Sequence, residues 1–396
     1  IDLNHIEPFV TISATPISIE ASIGADYPIY LGEATIHYKL NTSTSWESAL
    51  MTLISGINYK GEIPAQAQGS IIDYYFTVAD IYGSTALTQP TEVLQTDPSL
   101  PYKLLVGFNQ LVKEDFEIYF GDWIAFDPSD DASTGAWIFD EPVATYIVEG
   151  DPSTIVQTNK DHTPDNTFNF CAFTGNASAG SGAGTNDCDA GKNTLYGPKY
   201  DLTSYQNPAI SYYRWYSNDQ GANPGNDAWK VHITNGDGVW VPVEVTYTAD
   251  HSWRGNAIRV KDYVPLTDKV QLRFVASDSI IAGADLEGGS LVEAAVDDVI
   301  LWELGEPTIG INEIENIDIT VAPNPASDNV VVKWKGLASI STEVELLNTL
   351  GRSVFKATVN GSSDQLSIPV NKLAAGMYTL RITSDKNIGS RKIVVQ

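Results

Sequence analysis

Oxygen-bearing side chains dominate the chemistry that this sequence offers. It holds 50 Asp and Glu against 23 Lys and Arg, a formal net charge of −27 over 396 residues. Carboxylates mixed with loop carbonyls are the donors that calcium prefers, six to eight of them at about 2.3–2.6 Å. The acids with that potential are Glu117, the adjacent Asp297 and Asp298, and the loop acids Asp127, Asp130, Asp131, Asp187 and Asp189. The competing reading is a solvated acidic rim. The Ser217–Asp227 loop also carries candidate oxygens, but its Asn, Asp, Gly and Pro are the ordinary residues of turns. Two cysteines, Cys171 and Cys188, are a second possibility for chemistry. In an oxidising compartment a bond between them would close a loop of about 17 residues and contribute roughly 3 kcal/mol. The small polar residues between them favour that disulfide, because such a loop has little apolar means of ordering itself; two separate buried thiols are the alternative.

Catalytic patterns are missing. The five histidines, His5, His37, His162, His232 and His251, include no His-Glu-x-x-His pair, and no Gly-x-Ser-x-Gly elbow occurs. Ala179 to Gly184 is glycine-rich but lacks the Lys-Ser/Thr of a phosphate loop. Trp215, Tyr216, Trp229, Trp240 and Trp253 offer rings for stacking a sugar, although aromatics on alternating strands usually serve a core. Trp253, between Ser252 and Arg254, is the ring expected to be exposed as a ligand contact.

The elements that must position these groups read as strands. Hydrophobic residues make up 43% of the chain, enough for folded domains rather than a disordered acidic chain. The acidity argues against nucleic acid and against anionic membrane surfaces as partners. No apolar run reaches the roughly 18–20 residues of a transmembrane helix. Ile1 opens no signal-peptide pattern, which suggests a processed form or a piece of a longer product. Short alternating runs between Gly, Pro, Asn and Asp clusters predict an all-β chain of three consecutive β-sandwich modules. Residues 1–107 read as an immunoglobulin- or fibronectin-like sandwich, with Ile72, Tyr74, Phe76 and Val78 on one face of a half-buried strand. Residues 108–304 read as a jelly roll with long loops, 305–318 as a linker, and 319–396 as a small sandwich.

The third module carries a signature. It runs from Ala322-Pro323-Asn324-Pro325-Ala326 through Leu350-Gly351-Arg352 and Ala375-Gly376-Met377-Tyr378 to Arg391-Lys392-Ile393-Val394-Val395. This resembles the C-terminal sorting domain of type IX secretion cargo in Bacteroidetes. The resemblance implies that the type IX secretion machinery is a partner and that a folded protein is exported across the outer membrane. The protein would then reside outside the cell or on its surface. Pro323, Asn324 and Pro325 would form a rigid turn, Gly351 and Gly376 would sit at turns needing positive φ, and Lys392 with its neighbours makes the tail locally basic.

The second module is distantly similar to the MAM domain. The residues concerned are Asp115-Phe116-Glu117, Gly135-Ala136-Trp137, Asp161-His162-Thr163-Pro164, Arg214-Trp215-Tyr216, and the stretch Val292-Glu293-Ala294-Ala295-Val296-Asp297-Asp298. Such modules commonly hold a structural calcium between an acid on the first strand and one on the last, here Glu117 and Asp297 or Asp298. Adjacent residues of a strand face opposite ways, so only one of that pair should reach the ion. In longer relatives this pair of modules tends to follow a secreted peptidase, often a zinc carboxypeptidase. The expectation is therefore a non-catalytic accessory and targeting region that binds protein or polysaccharide. The alternatives are the end of such a peptidase, with its active site before Ile1, or a stand-alone adhesin.

Overall fold

A computed structural model describes the chain apart from residues 12–14, 28–29, 91–99, 118–119, 149–150, 152–153, 164–168, 279–288, 306–317, 336–340, 349–352, 361–364 and 385–386. Strands dominate, and the described residues contain no α-helix. The chain divides into two compact units, Ile1–Pro307 and Thr308–Gln396, and the first contains two of the three sandwiches. Most of the expected 305–318 linker lies outside the described residues.

The first sandwich opposes two sheets. One orders the strands Asp2–Asn4, Ile17–Gly24, Asn58–Ile63 and Thr52–Ser55. The other orders Val10–Thr11, Tyr102–Val106, Ile71–Asp80, Leu31–Leu40 and Glu47–Leu50, with Thr85–Gln89 added on Ile71–Asp80. Ile72, Tyr74, Phe76 and Val78 point into the core beside Ile19, Ile23 and Ile36. The half-buried expectation for this strand fails on its other face, because Ile71, Asp73 and Tyr75 are buried too. Ile71 and Leu105 pack instead against Ala209, Ala257 and Trp302 of the second sandwich.

A single residue, Gly107, separates the strand Tyr102–Val106 from Phe108–Glu114, the first strand of the second sandwich. Its φ of +74° is left-handed, and a Cβ there would sit 2.5 Å from Gln68 Cγ. Gln68 in turn donates through Nε2 to the carbonyls of Gly107 and Gly305.

The second sandwich sets a six-stranded sheet against a four-stranded one. The larger runs Trp137–Asp140, Cys171–Thr174, Glu293–Leu304, Ala209–Ser217, Arg254–Arg259, and Phe108–Glu114 also pairs with Glu293–Leu304. The smaller runs Gly191–Tyr200, Val270–Asp278, Trp229–Thr234, Val241–Thr246. Tyr212, Tyr216, Trp229, Leu272 and Phe274 fill the space between them. Near its edge Arg214 is buried, with Nε donating to Glu244 Oε1 at 3.0 Å and Nη1 to Asp250.

The second unit is a small sandwich of its own. Asp318–Ala322, Asn329–Lys335 and Gln365–Pro369 face Ser353–Asn360, Ser341–Leu347, Gly376–Ser384 and Asn387–Val395 across a core that includes Val332, Trp334, Leu346 and Leu380.

Candidate functional site

The acids of the last strand of the second sandwich lie at a bulge. Ala294 and Val296 face the core, and beyond the two aspartates Val299 and Leu301 do. The switch from even to odd positions needs one extra residue. The pairing shows it: Ser211 and Tyr213, two apart, oppose Ile300 and Asp297, three apart. Asp298 takes up the extra residue with φ +47°. Strict alternation is thereby broken, and Asp297 and Asp298 both turn to the outer face.

On that face they hold one loop. Asp297 Oδ2 accepts from the backbone N–H of His162 at 2.7 Å. Asp298 accepts from His162 Nδ1 at 2.7 Å, Thr163 Oγ1 at 2.6 Å and Lys113 Nζ at 2.8 Å. Burial works to raise the Asp298 pKa, but those bonds outweigh it and hold the carboxyl below its ordinary value. Asp297 goes the other way, driven up by burial and then by the Asp298 charge. The loop side chains stack outward: His162 lies flat on Tyr213, with ring centroids 3.4 Å apart, and Trp253 meets His162 edge-on at 6.1 Å. Trp253 is half-buried, and its Nε1 donates to the carbonyl of Lys160 at 3.0 Å.

Glu117 comes to the same region. Its Oε1 accepts from the N–H of Phe170 at 3.3 Å. Burial and then a carboxyl–carboxyl hydrogen bond with Asp161 raise its pKa. Asp297, Asp161 and Glu117 all act on the Cys171 thiol, which burial first and these charges next push well up. Glu117, Asp161 and Asp297 are therefore neighbours, while Asp298 is committed to Lys113, His162 and Thr163. Among the described residues no three Asp, Glu, His or Cys side chains form a ready-made metal cage.

The remaining acids lie elsewhere. Cys188 pairs with Val292, which brings Asp187 beside the buried Glu293, at the start of the strand and four residues before Asp297. Burial and then Asp189 push Asp187 up to about 6. Asp127, Asp130 and Asp131 cap a loop: they accept from the backbone N–H groups of Ser129, Thr194 and Lys192 respectively.

The cysteines correct a second expectation, for both are free and buried. Ala172 pairs with Val296, whereas Cys188 pairs with Val292 on the same strand. Four to five residues at about 3.3 Å each separate the two anchor points, against the 4.4–6.8 Å between Cα atoms that a disulfide needs. The side chains also occupy opposite faces of the sheet: Cys171 packs outward with Phe173 and Trp215, and Cys188 packs inward with Ala276 and Trp229. Order in the intervening loop comes from hydrogen bonds instead, such as Asn186 Nδ2 to the carbonyl of Asn176 at 2.7 Å.

The aromatic residues do not form one platform. Trp215, Tyr216 and Trp229 are buried, and Trp240 and Trp253 precede strands of different sheets. Sequence reasoning missed Lys113, His162 and Thr163 as partners of the aspartates. The adjacency of His162 to Asp161 in a polar loop was the available signal.

In the second unit the Pro-Asn-Pro segment is bound to the last strand. Asn324 Nδ2 donates to the carbonyl of Lys392, and its Oδ1 accepts from the N–H of Val394, each at 2.8 Å. Tyr378 is buried and donates to the carbonyl of Ala374 at 2.8 Å. Gly376 opens its strand with φ 158°, almost extended, so no tight turn occurs there. Gly351 lies outside the described residues. Lys392 is exposed, opposite Thr379.

Comparison with known proteins identifies this unit. Residues 320–396 match the secretion system C-terminal sorting domain family. The chain is type IX cargo, exported to the extracellular space or the cell surface. No helix among the described residues is long and apolar enough to cross a membrane. An endo-acting ulvan lyase of Formosa agariphila is 30% identical over 105 residues, 25% of this chain and 20% of that protein. The chain thus spans about a fifth of the length of that curated relative. Solved structures that align include the FN1–FN3 domains of chicken CNTN1, at 11% identity and TM-score 0.18, covering 100% of this chain and 97% of that one. A carbohydrate-binding module of the β-sandwich superfamily aligns at 9% identity and TM-score 0.25, covering 76% and 97%. At such scores these likenesses carry nothing about function.

Proposed function

We propose that the chain is the non-catalytic accessory and targeting region of an exported bacterial protein. In this reading the last unit is the part recognised by the secretion machinery. The first two sandwiches act together as a binding and positioning body, the second being MAM-like. The match of residues 320–396 to a sorting domain supports the targeting role. Removing residues 319–396 should leave the protein in the periplasm, and normal secretion of the shortened chain would overturn that part. Hydrolysis of peptide or glycan substrates by the purified chain, lost on point mutation, would overturn the non-catalytic part.

Calcium belongs to the same proposal. Glu117 and Asp161 share a hydrogen bond between two acids, with Asp297 close by. A hard cation would relieve the repulsion that otherwise requires a proton in that pair. Asp187, Asp189 and Asp298 are not part of it. Calcium should raise the melting temperature of the full chain, and EDTA should lower it in wild type but not in Glu117→Gln. An unchanged melting temperature in wild type would remove calcium from the account.

A further inference from the structure

The outer face of the four-stranded sheet in the second sandwich gathers basic groups that have no carboxylate partner among the described residues. Leu195, Val231, Ile233, Leu272 and Phe274 point into the core, so Tyr196, Lys230, His232 and Arg273 point outward. The register sets Tyr196 and His232 directly opposite Arg273, one on each side. Lys230 lies two residues from His232 on the same strand and face. The Trp240 ring covers the guanidinium at 4.5 Å, and Tyr196 lies 5.6 Å from Trp240, so two half-buried rings flank the charge.

Arg273 meets the Tyr196 hydroxyl, but no carboxylate among the described residues neutralises these groups. Among the described residues, Arg273 Nε and His232 Nδ1 are enclosed without a hydrogen-bond partner. Among the described residues neither Arg273 nor Lys230 forms an ion pair, on a chain with 50 acids. Burial, and then the charges of Arg273 and Lys230, push His232 down to about 4, as expected where positive potential concentrates. Asp127, the acid at the edge of the face, accepts from the Tyr196 hydroxyl and from Ser129.

We infer that this face binds an anionic saccharide, with the carboxylate or sulfate of the sugar held by Arg273, Lys230 and His232 and the pyranose ring lying against Trp240 and Tyr196. A guanidinium suits either oxyanion, and the flanking rings suit a pyranose rather than an acidic peptide. The inference deepens the binding role proposed above and rests on it; export is tested separately by deletion of the sorting domain.

The test is calorimetric titration of the full chain with four probes: an oligogalacturonate, a sulfated galactan oligosaccharide, a neutral xylo-oligosaccharide and polyglutamate. The two anionic sugars distinguish carboxylate from sulfate recognition, and binding of either supports the inference. Arg273→Gln and Trp240→Ala should each weaken binding by about tenfold or more at an unchanged melting temperature. Should either variant fail to fold, Lys230→Gln, at a less enclosed position, replaces it with the same expectation. Bound sugar should also raise the His232 pKa, seen in the imidazole NMR signal. Neutral xylan binding equally well would overturn the anionic assignment but leave a binding body. Polyglutamate binding as tightly as the sugars would reassign the face to acidic peptide, and no binding of any probe would remove the site altogether.

Discussion

Half-burying Glu7 between the first two sandwiches should make their stability fall as pH rises toward neutral. Its carboxyl accepts from the Tyr213 hydroxyl at 2.9 Å and lies near Arg254. Burial outweighs both and pushes its pKa from 4.5 up to about 7. A carboxyl with a raised native pKa binds its proton more tightly in the folded state. Its favourable contribution is therefore complete below pH 4.5 and is lost as pH climbs through 7. At about 1.4 kcal/mol per pH unit, a shift of this size corresponds to about 3 kcal/mol. Glu7→Gln keeps an acceptor for Tyr213 and removes the charge. Denaturant unfolding of the full chain and of Glu7→Gln at pH 5 and pH 8 isolates the effect, because other acids with raised pKa values, such as Asp187 and Glu293, cancel in the difference. The variant should gain about 2.5 kcal/mol on wild type between the two pH values, since part of the shift is already felt at pH 5. Parallel stability curves would show that Glu7 is solvated in the folded state and would refute the tight interface.

Other expectations follow from buried partners. Arg214→Met should cost about 3–5 kcal/mol in denaturant unfolding, because it leaves the Glu244 carboxylate without its cation in the interior, while Asp250 keeps only Arg254. Neither thiol should react with a thiol reagent in the native chain, since burial pushes Cys188 to about 12 and Cys171 well up; unfolding without reductant should release both, and a zero count would reinstate the disulfide. Asn324→Ala should destabilise the sorting domain by about 1–2 kcal/mol and accelerate amide exchange at Val394, whose N–H loses its acceptor.

Period-two alternation was enough to read the strands. Ile72, Tyr74, Phe76 and Val78 face the core as expected, and the turn after Asp80 is closed by its own side chain, whose Oδ1 accepts from Tyr82 and Ser84. Alternation failed at Asp297 and Asp298 because a bulge is a property of two paired strands, and the extra residue is visible only against Ser211 and Tyr213. The cysteines misled for a similar reason. Separation along the chain says nothing about register, and register places them at different points of one strand and on opposite faces of the sheet. Lys113 and His162 reach Asp298 from far along the sequence, so only the assembled sheet brings them together.

The junction between the first two sandwiches bears on how the first one works. A flexible spacer needs several exposed residues that can change conformation, usually Gly, Ser or Pro. Here one residue joins the modules, and at its positive φ the close approach of Gln68 leaves no room for a side chain. Two strands of the first sandwich hide Ile71 and Leu105 against Ala209, Ala257 and Trp302, apolar surface that separation would return to water. The polar contacts are equally specific, with Tyr213 on Glu7 and Arg254 on the carbonyl of Leu100. Hinge motion would have to break all of these at once, so the pair should move as one body. The first module would then fix the orientation of the second, and an apparent gain of flexibility on Glu7→Lys, which places a charge beside Arg254, would locate that rigidity in this interface.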